Sequence, residues 1–154
     1  MKEVILKPIG RVGSSRKEIK DDDWDSETAF IALEPSFTSD ALTGLDAFSH
    51  VEVLFYMDQV DQDKVESTAR RPRNNPDWPE VGIFSQRGKN RPNQIGHTIC
   101  EILEVIGTKL YIKGLDAVDG TPALDLKPWV NEFGPRGELR QPTWMTELME
   151  GYWA

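Results

Sequence analysis

The sequence predicts a mainly β fold, an all-β barrel or a strongly bent sheet with few short helices. Three observations lead there. About seven short runs rich in β-branched and aromatic residues are separated by clusters of glycine, proline, asparagine and aspartate. Helical patterns do not alternate with these runs, which argues against a doubly wound α/β architecture. The run His50 to Met57 (His-Val-Glu-Val-Leu-Phe-Tyr-Met) is almost continuously apolar and reads as a central strand.

Taken in order, Val4 to Val12 reads as a first strand, interrupted by Pro8 and Gly10 and therefore bulged or at an edge. Gly13, Ser14 and Ser15 end it. No Gly-Lys-Ser/Thr follows, so Gly10 and Gly13 do not form a phosphate loop. Residues 16–28 form a polar, acidic loop whose one large apolar residue, Trp24, is either a lid on a ligand or a plug over the core. Thr28 to Glu34 is a second strand. Pro35 to Thr43 reads as a turn and a short helix, with Ser39 or Asp40 as cap. After the central strand, Asp58 to Pro79 is a long polar connection, and the prolines in its Arg70–Pro76 segment forbid a helix.

Val81 to Phe84 is a strand that stops at Ser85-Gln86-Arg87-Gly88-Lys89-Asn90-Arg91-Pro92-Asn93-Gln94. That polar loop, shaped by Gly88 and Pro92, is the most binding-like stretch of the chain. A strand resumes near Gly96. His97 to Ile106 and Leu110 to Leu115 form a hairpin across Gly107-Thr108. Asp116 to Thr121 is a turn, and Ala123 to Lys127 a last strand. Residues 1–130 thus form one β domain, and residues 131–154 an extended arm with a short helix, Thr143 to Gly151, capped by Thr143. Trp144, Leu148, Tyr152 and Trp153 are too apolar for a free tail and should pack on the domain or on a second copy of it.

Composition narrows the function. The 154 residues suit a single domain with a modest core. No apolar run approaches the roughly 20 residues that span a bilayer, and the first residues are too mixed for a signal peptide, so no membrane partner is expected. One cysteine, Cys100, and two histidines make poor material for a zinc site and fit a reducing, cytoplasmic compartment. The net charge of −8 argues against a broad electrostatic grip on nucleic acid. The charge is uneven, however. Acidic residues crowd 18–27, and Arg70, Arg71, Arg73, Arg87, Lys89 and Arg91 crowd the later loops. The cationic loops could meet a phosphate-bearing substrate, or the two patches could pair with one another.

Asp116 and Asp119, on a turn at the end of an apolar strand, have the chemistry to accept hydrogen bonds from a ribose diol. Several segments then carry a family pattern in register: Ile9-Gly10-x-Val12, Gly44-Leu45-Asp46-x-Phe48-Ser49-His50, Arg71-Pro72-Arg73, Val81-Gly82-Ile83-Phe84, Arg91-Pro92-Asn93-x-Ile95-Gly96, and Gly114-x-Asp116-x-x-Asp119-Gly120-Thr121-Pro122 running on to Pro128. From about residue 5 to residue 130 the chain resembles the TrmO (YaeB-like, TsaA-like, VirR-like) family of tRNA methyltransferases. The resemblance implies a single-sheeted β-barrel, a homodimer, the cofactor S-adenosyl-L-methionine, and methylation of N6 of threonylcarbamoyladenosine beside the anticodon of tRNA.

By matching position it implies cofactor contacts at Arg87, His97 and the turn Leu115, Asp116, Val118 and Asp119, with Asp58 and Gln59 at the end of the central strand and, more loosely, Trp24. Candidates for a base are His50 and Asp119, with Asp116 beside them. Arg91 and Asn93 suit substrate binding, with Arg71 and Arg73 as further phosphate contacts. The sequence departs from the family at Glu52, Gln86 and Gln94, which suggests a divergent paralogue. A different RNA or a small-molecule acceptor, or a cofactor-binding module without catalysis, are the alternative readings.

Overall fold

A computed structural model describes residues 1–154. It contains eight strands, β1 (Gly10–Ser14), β2 (Thr28–Leu33), β3 (His50–Tyr56), β4 (Ala69–Arg70), β5 (Val81–Gly82), β6 (Ile95–Ile106), β7 (Lys109–Lys113) and β8 (Pro122–Pro128), and one α-helix, α1 (Thr143–Met149). Strict alternation builds the central strand. Val51, Val53 and Phe55 of β3 are buried, and the residues between them face outward. Six strands close into an antiparallel barrel in the order β1-β2-β7-β6-β3-β8, with β8 returning to β1. Strands β4 and β5 form a separate two-stranded ladder.

Strand β6 explains how so small a sheet closes. Its first half pairs with β3 and its second half with β7, so the strand must bend between them. A register shift between Ile102 and Glu104 supplies one bend, and a second shift between Leu54 and Phe55 lets β3 turn against β8. The core inside the barrel is aliphatic, with Ile31, Val51, Val53, Leu110 and Ile112 fully enclosed. Two glycines permit close approaches that a side chain would block. A Cβ on Gly10 would stand 2.6 Å from the Ala32 carbonyl oxygen, and one on Gly96 would stand 2.3 Å from the Phe55 ring.

Strands β2, β3 and β8 and the β6–β7 hairpin lie where the residue pattern put them, with Gly107 at φ +59 in the hairpin turn. The first strand does not begin at Val4. Residues 1–6 are exposed, and the ladder starts where Ile9 N–H donates to Ala123 O at 2.8 Å, after Pro8, which has no N–H to give. The expected helix near Pro35–Thr43 is a single 3-10 turn, Ser39–Leu42, entered from Thr38 with no side-chain cap. Helix α1 starts one residue earlier than a Thr143 cap would place it: Thr143 is already helical, and Pro142 precedes it as the N-cap. Gly151 has φ +76, the left-handed exit expected of it. The arm returns to the barrel, and Trp144, Leu148 and Tyr152 are half-buried against it. No helix is long and apolar enough to cross a membrane.

Candidate functional site

Strand β3 delivers its last residues to one end of the barrel, and the loop systems of the chain converge there. They enclose a cavity of about 990 Å³. Its wall is made by Met57, Asp58 and Gln59 beyond β3, by the 83–91 loop, by Gly96 to Ile99 of β6, by Asp116 to Val118, by Trp24, and by one side of α1 with Tyr152 and Trp153. Small-molecule sites of this kind fall mostly between about 300 and 1,000 Å³, so the space suits a nucleoside-sized ligand with room for part of a second molecule.

Asp116 is a carboxylate of the wall held by two hydroxyls. Thr98 Oγ1 donates to its Oδ1 and Tyr152 Oη donates to its Oδ2, while no cation forms an ion pair with it. Burial, and then the negative charge of Asp116, push the Tyr152 phenol up from its ordinary range, so Tyr152 stays a neutral donor. An ionised carboxylate has about four acceptor positions; two are used, and about two remain on a group that lines the cavity.

The cations come from the loops. Arg87 lines the cavity and donates from Nη2 to His97 O at 2.9 Å. His97 Nε2 donates to Glu52 Oε1 at 3.1 Å, so the glutamate that departs from the family pattern fixes that ring. Arg91 Nη1 donates to Gln86 O at 2.6 Å. Arg70 also lines the cavity, and its Nε is buried with no partner. Orphan donors of this kind are rare, and a bound anion would satisfy this one. Trp24 is 3% exposed and stands in the cavity wall, with the Arg16 guanidinium 3.7 Å from the centre of its ring. Arg16 is itself held by Glu27 at 2.9 Å and by the carbonyls of Asp22 and Asp23.

The structure therefore brings Trp24, Asp58, Gln59, Arg73, Arg87, Arg91, His97, Asp116 and Val118 to one cavity. It does not bring the other candidates there. His50 begins β3 at the far end, about 20 Å from Tyr56 at the ordinary strand rise, with Ser49 Oγ 2.7 Å from its Nδ1. Asp119 closes its own turn, accepting from Ser14 N–H at 2.9 Å and donating its own N–H to Arg16 O at 2.8 Å. Leu115 is a core residue, 1% exposed. Arg71 bonds the Trp78 and Pro76 carbonyls, and Asn93 sits in a turn at φ +64. Arg73 faces the cavity but pairs with Asp22 at 3.1 Å and lies 3.9 Å from Asp21, so the acidic and cationic patches do meet. Gln86 and Gln94 are buried stitches: Gln86 bonds the Arg70 and Val81 carbonyls, and Gln94 bonds Met57 O at 2.9 Å.

Sequence reasoning missed Arg70, Thr98 and Tyr152 as site residues. Arg70 stood inside the cationic segment that drew attention to Arg71 and Arg73. Thr98 is a polar residue at one of the two buried positions of β6, in register with Cys100 two residues on.

Residues 19–134 match the model of the tRNA-methyltransferase O N-terminal domain. The chain belongs to the TrmO family. A probable S-adenosyl-L-methionine-binding protein of Methanothermobacter thermautotrophicus is 33% identical over 139 residues, 88% of this chain and 96% of that protein. The human tRNA (adenine(37)-N6)-methyltransferase is 35% identical over 102 residues, 66% of this chain but 23% of that protein. The crystal structure of TrmO from Pseudomonas aeruginosa superposes with a TM-score of 0.72 at 27% identity, covering 90% of this chain and 62% of that one. The chain thus spans nearly all of one relative and only part of the larger methyltransferases.

Proposed function

We propose that the chain is an S-adenosyl-L-methionine-dependent methyltransferase that methylates N6 of threonylcarbamoyl-modified adenosine at position 37 of tRNA; the human relative is named for N6 methylation of adenine 37. One observation carries this reading. A carboxylate with open acceptor positions, Asp116, shares a cavity with Arg87, the orphan donor of Arg70 and the Trp24 ring, in a barrel of the TrmO family.

The donor set fits the cofactor. Asp116 would bind the ribose hydroxyls, Arg87 would pair with the amino-acid carboxylate, and Trp24 with the apolar side of α1 would shield the group from water. When bound, the cofactor supplies a methyl group activated by its sulfonium. The protein's task is alignment of acceptor and donor, which removes several kcal/mol of barrier by positioning alone. Arg91 and Arg70 hold the anionic part of the acceptor. Three carboxylates line the cavity; Asp21 lies beside Arg73 and Asp116 is held by two hydroxyls, whereas the Asp58 carboxylate has no protein partner. Asp58 is the side chain in place to take the N6 proton, a modest task because the carbamoyl group already acidifies that nitrogen.

The exposed Ile95, Ile99 and Leu103 on β6 support a homodimer across that face, and a tRNA substrate with one unpaired, buried Cys100 fits a cytoplasmic location. A smaller acceptor is the second reading, favoured by the net charge of −8 and by the pairing of Arg73 with the acidic loop. The test incubates the protein with S-adenosylmethionine and tRNA that carries unmethylated threonylcarbamoyladenosine, followed by nucleoside mass spectrometry. One added methyl on that nucleoside is expected. Cofactor binding with no methylated nucleoside would rule out the tRNA assignment and leave the smaller acceptor.

A further inference from the structure

Tyr152 lies outside every block that carries the family pattern, yet its side chain reaches 36 residues back along the chain to Asp116. The contact is not an accident of a loose tail. Three consecutive donors, the N–H groups of Asp23, Trp24 and Asp25, bond the carbonyls of Gly151, Tyr152 and Trp153 at 3.2, 3.0 and 2.9 Å. The Trp78 indole N–H donates to Glu147 Oε2 at 2.9 Å and ties α1 to the 58–79 segment. The Tyr152 ring packs edge-on against Trp153, with ring centres 4.9 Å apart. Tail, Trp24 loop and Asp116 turn are thus one connected wall.

We infer that Tyr152 is a positioning residue of the cofactor site, orienting Asp116 so that its two remaining acceptor positions face a ribose diol. The inference rests on the proposed cofactor reading. The count of acceptors is the argument. Thr98 takes one position on Oδ1 and Tyr152 one on Oδ2, which fixes the plane of the carboxylate and leaves one position on each oxygen. Two adjacent hydroxyls present two donors at a matching separation. Without Tyr152 the carboxylate is anchored on one side only and can rotate away from a paired arrangement. Phenylalanine at position 152 would keep the ring packing and every main-chain bond of the tail, so the loss is confined to one hydroxyl.

The experiment measures calorimetric binding of S-adenosylhomocysteine and of its 2′-deoxy and 3′-deoxy analogues to wild type, Tyr152→Phe, Asp116→Asn and the double variant. Wild type is expected to bind the deoxy analogues about tenfold more weakly or worse. Tyr152→Phe should lose about fivefold or more in affinity for the parent compound, and its discrimination against the deoxy analogues should fall to about threefold or less. The double variant should bind no more weakly than Asp116→Asn, because Tyr152 acts through Asp116. Losses that simply add, or an unchanged discrimination ratio, would mean that Tyr152 only supports the fold. Tighter binding by Tyr152→Phe would mean that the tail competes with the ligand. Either result overturns the inference while a weakened Asp116→Asn keeps the cofactor reading. Absence of wild-type binding to both S-adenosylhomocysteine and S-adenosylmethionine overturns both.

Discussion

Replacing Asp116 with asparagine probes the proposed cofactor site at the carboxylate that Thr98 and Tyr152 hold. The amide keeps the size of the carboxylate and one acceptor oxygen. Thr98 and Tyr152 are hydroxyls, and each can rotate to donate to the oxygen or accept from the new NH₂ group. The fold should therefore survive, at a cost of about 1–2 kcal/mol, which lowers Tm by roughly 2–8 °C in a chain of this size. Ligand binding should suffer far more. Hydrogen bonds to a charged acceptor contribute about 1.5–3 kcal/mol each, against about 0.5–1.5 for neutral pairs, and two such bonds become at best one neutral bond. The loss is about 3 kcal/mol, or roughly a hundredfold in Kd. Titration calorimetry with S-adenosylhomocysteine reads the affinity, and a thermal melt reads the fold. A Kd within about twofold of wild type, in a protein that melts normally, would refute the placement of the ribose at Asp116.

Three other outcomes follow from particular contacts. Gly96→Ala drives a Cβ into the buried Phe55 ring, 2.3 Å away, and should lower the unfolding free energy by about 1–3 kcal/mol in urea titrations. His50→Gln, at the far end of β3, should leave cofactor affinity and methylation rate unchanged; a large loss of rate would return His50 to the chemistry. Burial, and then the charge of Asp116, push the Cys100 thiol well above its ordinary range, so it remains protonated in the folded state. Iodoacetamide at pH 8 should leave Cys100 unmodified in the folded protein and alkylate it in urea, as mass spectrometry would show.

Period-two patterning made the barrel strands legible. Val51, Val53 and Phe55 alternate with outward residues, and Leu110 and Ile112 do the same on β7, because a half-buried strand can hide only every second side chain. The β6–β7 turn was legible for a local reason, a glycine where the backbone must turn left-handed. The first strand was misjudged because apolarity from Val4 to Leu6 says nothing about whether a partner strand is within reach; pairing begins only where β8 lies alongside, at Ile9.

The site divides along the same line. The sequence by itself determined the chemical inventory: the family blocks, the carboxylate turn at Asp116, and the arginines of the 70–91 loops. The tertiary structure alone decided which members meet. A strand has two ends, and composition cannot say which one the loops crown, so only the barrel shows that His50 starts β3 away from the cavity while Asp58, just past its other end, lines it. Gln86 and Gln94 belong to the polar loop that reads as binding-like, yet the fold consumes their amides to satisfy buried carbonyls. The bond from Tyr152 to Asp116 joins two segments with no local signal for each other, and the returning tail alone brings them together.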